Sequence, residues 1–291
     1  MTNSEIILKT QEEFKLRGLS HNTLDEYLGV LRRFSQYYDD KPIEEMGEHE
    51  IRKYLLYLIE QNKSSGTVNI HNSALRFIYG VILERNVNCR LIPRQHQYRE
   101  FPEIMRKDEI QKFFSVIDNL RDRTMFETVY GAGLRISEII KLRVQDMDSK
   151  QMRIYVQKGK GNKDRYTLLS QRNLELLREY WKQYRPNHPD GYLFYARSKD
   201  KHILTKRSVT NAFVKYRKLA NLSDNYTSHT LRHCFATHLL ESGMDIYRIK
   251  ELLGHTFIQT TSFYLHLQNI KDAVKSPLDT LESTLEVKDN D

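Results

Sequence analysis

The sequence predicts a mainly α-helical protein with two helical domains, the second of which carries a small antiparallel sheet. Apolar residues recur at helical spacing through most of the 291 residues, as expected for helices with one buried face. A polar stretch without any period separates an N-terminal block of such segments from a longer C-terminal block. Within the second block, two short alternating runs flank a glycine-rich turn, which is the pattern of a β-hairpin.

The composition favours a globular, cytoplasmic protein that binds a polyanion. Hydrophobic residues make up 39% of the chain, which is enough for packed cores. No run of about 18 apolar residues occurs, and the N-terminus is too polar for a signal peptide. Cys89 and Cys234 have no CxxC spacing, which argues against a disulfide framework or a thiolate zinc site. The net charge of +8 favours a polyanionic partner, but charge alone does not separate nucleic acid from a membrane surface. We place nucleic acid first.

Residues 1–85 are predicted to form a small all-helical domain. Helical periodicity covers residues 20–38, 48–61 and 67–85, and a lead-in helix would end at Gly18. Ser20 or Asn22 is the expected N-cap of the first of these. Nothing in this domain is catalytic by residue type or spacing.

The stretch 86–103 is expected to be a basic linker, because it contains prolines and shows no sustained period. Its residues Arg90, Arg94 and Arg99 could lie along a nucleic-acid backbone. A solvated linker that happens to be basic is the alternative.

Residues 104–275 are predicted to be mostly helical. We expect helices at residues 107–119, 121–131, from about 134, and at 170–184, 206–220, 230–242 and 246–253. The last two would end at Gly243 and Gly254, since glycine suits a left-handed C-cap. The hairpin strands are expected at residues 152–156 and 165–169.

Residues 276–291 form a polar tail with Leu278, Leu281 and Leu285. This spacing is typical of a short helix or arm that needs a partner surface. A frayed, solvated C-terminus is the alternative.

Groups that handle phosphate are concentrated between Ser228 and Leu265. His229 and Arg232 lie three positions apart, a Gly254-His255 step follows, and Tyr264 comes nine residues after that histidine. Arginine offers a planar fork of donors to phosphate oxygens, histidine can move a proton near neutral pH, and a tyrosine hydroxyl can become a nucleophile. Together they indicate phosphoryl transfer.

Two further sites precede this stretch. Glycines before Arg135 allow a tight turn, Arg135 then falls in the first turn of a helix, and Glu138 can hold its guanidinium. Lys160 lies in the hairpin turn, where a lysine can protonate a leaving oxygen. The turn lacks the GxxxxGK[ST] spacing of a P-loop. Taken singly, each of these residues is more often simply solvated.

A metal site built on histidines is the weaker interpretation. His229 and His233 stand at i and i+4, with His238 further along, but no acidic residue or thiolate completes an HExxH-type arrangement. We expect His233 and His238 to be packed or hydrogen-bonded in the core.

From Met105 to Lys271 the sequence resembles the tyrosine recombinase family, which includes the phage-type integrases and Xer-like recombinases. GAGLRISE resembles the family's first-arginine box, VQKGKGNKDR its lysine hairpin, HTLRH its histidine-arginine box, LLGH its second-histidine box and TTSFY its tyrosine box. The resemblance implies that the catalytic residues are Arg135, Lys160, His229, Arg232, His255 and Tyr264. Six positions in the family's order argue against chance similarity.

The resemblance implies a cleavage reaction that needs neither ATP nor a metal. Arg135, Arg232 and His255 would clamp the scissile phosphate and stabilise the charge of the transition state. Tyr264 would attack with His229 as general base, and Lys160 would protonate the departing 5′ oxygen. The resulting 3′-phosphotyrosine link would keep the bond energy for rejoining.

The resemblance also implies the roles of the domains. Residues 1–85 would be a core-binding (SAM-like) bundle that forms a clamp around double-stranded DNA with the catalytic domain. Simple recombinases of this plan act on short inverted-repeat core sites as homo-tetramers built of two dimers, and residues 276–291 would dock on a neighbouring subunit. Hetero-tetramers and accessory host proteins stay open, and no membrane partner is expected.

Two other functions stay open from the sequence. A type IB topoisomerase-like nicking-closing enzyme shares the tyrosine and arginine chemistry, but the helical domain and the tail favour recombination. A non-catalytic DNA-binding regulator would have no need for Tyr264 or Lys160. The sequence does not predict the target site, nor whether the role is chromosome dimer resolution, integration, transposition or inversion.

Overall fold

The structure is a computed structural model that describes residues 1–39, 41–97, 101–157, 164–196 and 202–267. The chain divides into two compact units, Met1–Glu100 and Phe101–Asp291. Both are mostly helical, and the second holds a small antiparallel sheet, so the predicted fold class is confirmed. In the described part of the chain, no helix is long and apolar enough to cross a membrane.

The described part of the first unit is helical. Its α-helices are α1 (Asn3–Leu16), α2 (His21–Tyr37), α3 (Glu48–Glu60) and α4 (Ser65–Phe77), which continues into a π-helical turn at Ile78–Ile82, and a 3-10 turn covers Ile43–Glu45. Of the two expected caps for α2, Ser20 is the one used, because its side chain accepts from the Thr23 N–H. Ser64 caps α4 in the same way, so this helix starts two residues before the expected Thr67.

The core of the first unit is rich in edge-to-face aromatic pairs, for example Phe34 with Tyr54 at 5.1 Å between ring centroids. Residues 86–97 pack on this unit. Ile92 is buried in its core, and the Asn72 side chain donates to the carbonyls of Ile92 and Pro93, both at 3.0 Å. Residues 86–97 of the expected linker are therefore held against the first unit, and the division between the units falls after Glu100.

The second unit carries the remaining helices: α5 (Lys107–Ser115), α6 (Leu120–Ala132), α7 (Ile136–Ile140), α8 (Gln171–Tyr184), α9 (Lys206–Leu219), α10 (Thr230–Glu241), α11 (Ile246–Leu253) and α12 (Gln259–Ser262). α5 is shorter than expected because Asn119 caps α6, its side chain accepting from the Asp122 N–H. Gly254 ends α11 in the left-handed conformation as expected. α12 and the following 3-10 turn, Phe263–His266, were not foreseen.

The sheet has the order β1-β2-β3, with β1 (Met147–Asp148), β2 (Arg153–Val156) and β3 (Arg165–Leu168). β2 and β3 pair antiparallel with Ile154 opposite Thr167, which confirms the hairpin. β1 was missed because two residues carry no detectable alternation. The hairpin tip, residues 158–163, lies outside the described residues.

Two apolar cores flank α10. The larger includes Phe113 of α5, Phe126 of α6 and Phe213 of α9. The smaller contains Phe235 and Leu240 of α10 with Leu253 and Tyr264. Since α10 packs against both cores, the start of this helix has a fixed position, and the candidate site is built there.

Candidate active site

The first arginine of the site is held by the carboxylate of Glu138. Arg135 has an extended backbone conformation and is the N-cap of α7. We had expected it in the first turn of this helix. Glu138 accepts hydrogen bonds from the Arg135 backbone N–H at 2.8 Å and from Nη1 at 2.6 Å. Among the described residues, the Arg135 guanidinium has no hydrogen-bond partner besides Glu138, and its side chain is 18% exposed. Its other donors can therefore bind an anion.

A second arginine, Arg165 of β3, completes the environment of Glu138. Its two terminal nitrogens donate to the two Glu138 oxygens at 2.8 Å each, and its Nε donates to the Leu252 carbonyl at 2.8 Å. Both side chains of this bidentate pair are buried. Burial acts to raise the pKa of Glu138, but the bonds from Arg165 and Arg135 outweigh it and lower the pKa to about 2. Glu138 is thus a fixed anion that orients arginines.

Arg232 projects from the first turn of α10 and is anchored by backbone carbonyls. Nη1 donates to the Gly133 carbonyl, and Nη2 donates to the Leu253 carbonyl at 2.7 Å. The side chain is 6% exposed and lies 3.7 Å from Glu138. Burial and the neighbouring Arg135 lower the pKa of Arg232 to about 9, which leaves it charged at neutral pH.

Two glycines place the carbonyls that hold Arg232. Gly133 and Gly254 both have left-handed backbones, with φ of +61° and +64°. A Cβ at Gly133 would collide with the Phe235 ring, and one at Gly254 would lie 2.7 Å from Cδ of Arg165. Only glycine satisfies both the conformation and the close approach.

His255, directly after Gly254, extends the cluster. Its Nε2 lies 3.2 Å from Arg232 Nη2, and its Nδ1 lies 2.9 Å from the Thr261 hydroxyl. Burial and the nearby arginines lower the pKa of His255 to about 3. The imidazole is therefore neutral at physiological pH and can donate only one hydrogen bond.

Tyr264 lies beside this cluster, at the end of the described chain. Its ring is parallel to that of His255, with centroids 6.3 Å apart, and the residue is 3% exposed in the smaller apolar core. Its hydroxyl lies 3.1 Å from Nδ1 of His233. Burial raises the pKa of Tyr264, whereas Arg232 and Arg135 act to lower it.

Comparison with known proteins identifies the family. The profile of the phage integrase family matches residues 103–270, and that of the phage integrase N-terminal SAM-like domain matches residues 6–89. The chain belongs to the phage integrase family. It is a tyrosine recombinase, and members of this family are DNA strand-transferring enzymes.

Relatives and solved structures match this recombinase over most of its length. It is 37% identical over 276 residues to the integrase/recombinase y4qK of Sinorhizobium fredii, covering 94% of this chain and 88% of the relative. It is 32% identical over 280 residues to the tyrosine recombinase XerA of Pyrococcus horikoshii, covering 94% of both. A lambda integrase tetramer bound to a Holliday junction has the same fold, with a TM-score of 0.72 and 18% identity over 97% of this chain and 80% of that chain.

The site of the recombinase carries an excess of positive charge. Arg135, Arg165 and Arg232 meet around one carboxylate, that of Glu138. Low-dielectric walls strengthen the attraction of such a site for an anion. The arrangement therefore suits a phosphodiester.

The structure brings four of the six expected catalytic residues into contact with this cluster or beside it: Arg135, Arg232, His255 and Tyr264. His229 is the N-cap of α10 and is exposed. Desolvation by neighbouring atoms and the charges of Arg232 and Arg135 lower its pKa. Lys160 lies outside the described residues.

The other expected residues lie elsewhere. Arg90 and Arg94 are exposed on the first unit, and Arg94 donates to the Ser73 hydroxyl at 3.3 Å. Arg99 lies outside the described residues. His238 bonds the Tyr130 hydroxyl at 2.9 Å, as expected for a hydrogen-bonded core histidine. No group of three or more metal-ligating side chains occurs within the described ranges.

Sequence reasoning missed Arg165 and the contact of His233 with Tyr264. Both residues stood inside quoted motifs, at the end of VQKGKGNKDR and of HTLRH. Their partners are 27 and 31 positions away in sequence. Hydrophobic alternation gave no signal for Arg165, because it places this residue on the solvent side of its strand.

Proposed function

We propose that this tyrosine recombinase exchanges DNA strands at specific sites through a covalent bond to Tyr264. The convergence of Arg135, Arg232 and His255 beside that tyrosine supports the proposal. The two arginines bind the non-bridging oxygens of the scissile phosphate, and His255 donates to the same phosphate in the tautomer that carries the proton on Nε2. Their positions are fixed before the reaction by Glu138 and by backbone carbonyls, so little reorganisation is needed as charge develops.

In the first step the Tyr264 oxygen attacks phosphorus, and the bond from phosphorus to the 5′ oxygen breaks. The hydroxyl proton passes to His229 as general base, and Lys160 supplies a proton to the leaving 5′ oxygen. The products are a 3′-phosphotyrosine and a free 5′ hydroxyl. A 5′ hydroxyl from a second duplex then attacks the phosphotyrosine, which forms a new phosphodiester bond and releases the Tyr264 oxygen. The reaction therefore needs neither nucleotide nor metal.

Residues 1–85 serve as the core-binding domain and residues 104–275 as the catalytic domain of a protein that binds duplex DNA in the cytoplasm. The match to the N-terminal SAM-like domain supports the first assignment. The exposed side chains of Arg90 and Arg94 are available for phosphate contacts from the segment that joins the domains. Such contacts position the protein without reading bases, and the bases are read at inverted-repeat core sites.

The active assembly is a tetramer of two dimers, in which residues 276–291 of one subunit dock on the next. The catalytic unit offers an apolar groove of about 910 Å³, lined by Ile110, Phe114 and Leu239 among others, with Lys107 and Arg172 also lining it. The tail carries five acidic residues against one lysine, together with Leu278, Leu281 and Leu285. The leucines of the tail thus match the apolar lining of the groove, and the negative charge of the tail matches the basic residues there.

Deleting residues 276–291 tests this assembly. Tetramer formation on DNA should weaken more than binding to a single site, as measured by native gel mobility. Unchanged synapsis in the deletion variant would show that the tail is not the docking segment.

A plasmid with two copies of the cognate site tests the reaction itself. The purified full chain should produce recombinant circles whose number depends on both sites. Relaxation of the plasmid without exchange would instead indicate a topoisomerase-like enzyme. Specific binding with neither product would indicate a regulator.

A further inference from the structure

The hydroxyl of Tyr264 is held by a histidine to which the expected mechanism gave no role. His233 Nδ1 lies 3.1 Å from the Tyr264 hydroxyl, and the ring centroids are 5.7 Å apart. Among the described residues, the Tyr264 hydroxyl has no other hydrogen-bond partner. The expected base, His229, lies one helical turn earlier on the same side of α10.

The contact is built into the fold. His233 follows Arg232 directly in the first turn of α10, and Arg232 is fixed by the Gly133 and Leu253 carbonyls. Tyr264 is fixed by its burial against α10 and α11 in the smaller core. Because packing and these hydrogen bonds fix the positions of both partners, the bond between them sets the direction of the Tyr264 oxygen.

His233 is neutral at physiological pH, since burial and the nearby His229 and Arg232 lower its pKa to about 4. A neutral imidazole has one N–H donor and one acceptor nitrogen. With the proton on Nδ1, His233 donates to the tyrosine oxygen, and the hydroxyl keeps its own proton for transfer. The same N–H then stabilises the negative charge that develops on that oxygen.

We propose that His233 is the positioning residue of the nucleophile, which aims the Tyr264 oxygen at the phosphate bound by Arg135 and Arg232. This inference rests on the proposed function of Tyr264. His229 keeps its role as proton acceptor, and His233 fixes where the attacking oxygen lies before the proton leaves.

The chain contains a matched control for the loss of such a bond. In the first unit, Nδ1 of His71 lies 3.1 Å from the Tyr54 hydroxyl, and burial lowers the pKa of His71 to about 4 as well. This pair has the same distance and the same atoms, and both tyrosines are buried. His71 is buried, whereas His233 is half-buried, and the pair has no place in the reaction. His71→Leu therefore reports the structural cost alone.

The test compares His233→Leu, His233→Asn and His71→Leu in single-turnover cleavage of a nicked cognate substrate. An oriented hydrogen bond to a reacting group is worth about 10- to 100-fold in rate, so His233→Leu should cleave about 10- to 100-fold more slowly with unchanged DNA affinity. His233→Asn, whose amide can replace the Nδ1 donor, should recover most of the rate. His71→Leu should stay within about 2-fold of wild type.

A second measurement needs no DNA. Tyrosine labelled with ¹³C at Cζ reports the hydrogen bonding of each hydroxyl by NMR, and the signals of Tyr264 and Tyr54 are assigned by their substitution with phenylalanine. His233→Leu should shift the Tyr264 signal and leave that of Tyr54 unchanged, and His71→Leu should do the reverse.

The proposal is overturned if His233→Leu cleaves at the wild-type rate, if His233→Asn is no better than His233→Leu, or if the NMR signal of Tyr264 does not shift in His233→Leu. If the wild-type protein itself forms no covalent complex while the pattern of NMR shifts holds, the proposed function fails and the contact between His233 and Tyr264 still stands.

Discussion

Glu138→Gln should lower the free energy of unfolding of the catalytic unit by about 3 kcal/mol at neutral pH. The substitution keeps the shape of the side chain but removes the charge that Arg165 and Arg135 surround. Arg165 is buried, so it would be left as an uncompensated cation. Removing one partner of a buried ion pair typically costs about 3–5 kcal/mol.

The pKa of Glu138 gives a second route to the same magnitude. Its fall from 4.5 to about 2 corresponds to about 3 kcal/mol, at about 1.4 kcal/mol for each factor of ten in proton affinity. Because the pKa is lower in the folded chain, this stabilisation is complete well above pH 4.5 and is lost as the pH falls towards 2. The difference between wild type and Glu138→Gln should therefore shrink to about 2 kcal/mol at pH 3.5.

Urea unfolding followed by tryptophan fluorescence measures this difference, since the chain has one tryptophan, Trp181 of α8 in the catalytic unit. Asp108→Asn is the control, because Asp108 pairs with Arg106 at the surface with both side chains more than two-thirds exposed and should cost less than about 1 kcal/mol. A loss below about 1 kcal/mol in Glu138→Gln, or a loss that does not depend on pH, would refute the role of Glu138 as a buried anion.

Three further predictions concern Gly254, His255 and Arg90. Gly254→Ala should destabilise the protein by about 1–3 kcal/mol more than Gly243→Ala. Both glycines have positive φ, but only a Cβ at Gly254 would meet Arg165. Equal losses of stability in thermal unfolding would contradict the clash. Wild-type protein should lose stability between pH 7 and pH 5, and His255→Gln should lose less. The folded-state pKa of His255 of about 3 lies below that of the unfolded chain, so its stabilisation is full above about pH 6.5 and falls as the pH drops. Parallel pH profiles for the two proteins would refute this. Arg90→Ala should weaken DNA binding and lower the slope of log affinity against log salt by about 1, and an unchanged slope would show that this side chain makes no phosphate contact.

The positions of the site helices could be predicted because local signals determine them. Two signals predict α10 and α11: the apolar spacing within each helix and the glycine after it. Both signals lie within about a dozen residues of sequence. The arginines that we propose as catalytic also stand in short motifs. Gly133 and Gly254 were recognisable as turn residues, but their role in presenting carbonyls to Arg232 depends on the tertiary fold.

The face of β3 could not be predicted from hydrophobicity. Alternation would place Tyr166 and Leu168 inside, yet these are 49% and 37% exposed, while Arg165 and Thr167 are 9% and 1% exposed. The bidentate pair of Arg165 with Glu138 and the bond from Thr167 to the Ala132 carbonyl explain this reversal. A one-residue register change would exchange both faces, so distant polar partners decide the orientation.

The contact between His233 and Tyr264 is hidden from the sequence for the same reason. The two residues are 31 positions apart, and α11, α12 and a 3-10 turn bring them together. The family resemblance favoured His229 as the partner of the tyrosine.

Covalent trapping tests the role of Tyr264 most directly. The full chain is incubated in EDTA without ATP with nicked suicide substrates drawn from the repeats that flank its own gene, and the products are separated under denaturing conditions. Wild-type protein should give a denaturant-resistant protein–DNA band, and Tyr264→Phe should bind the same DNA without forming it. A band that persists in Tyr264→Phe, or specific binding by wild type with no band, would contradict the assignment of Tyr264 as the nucleophile.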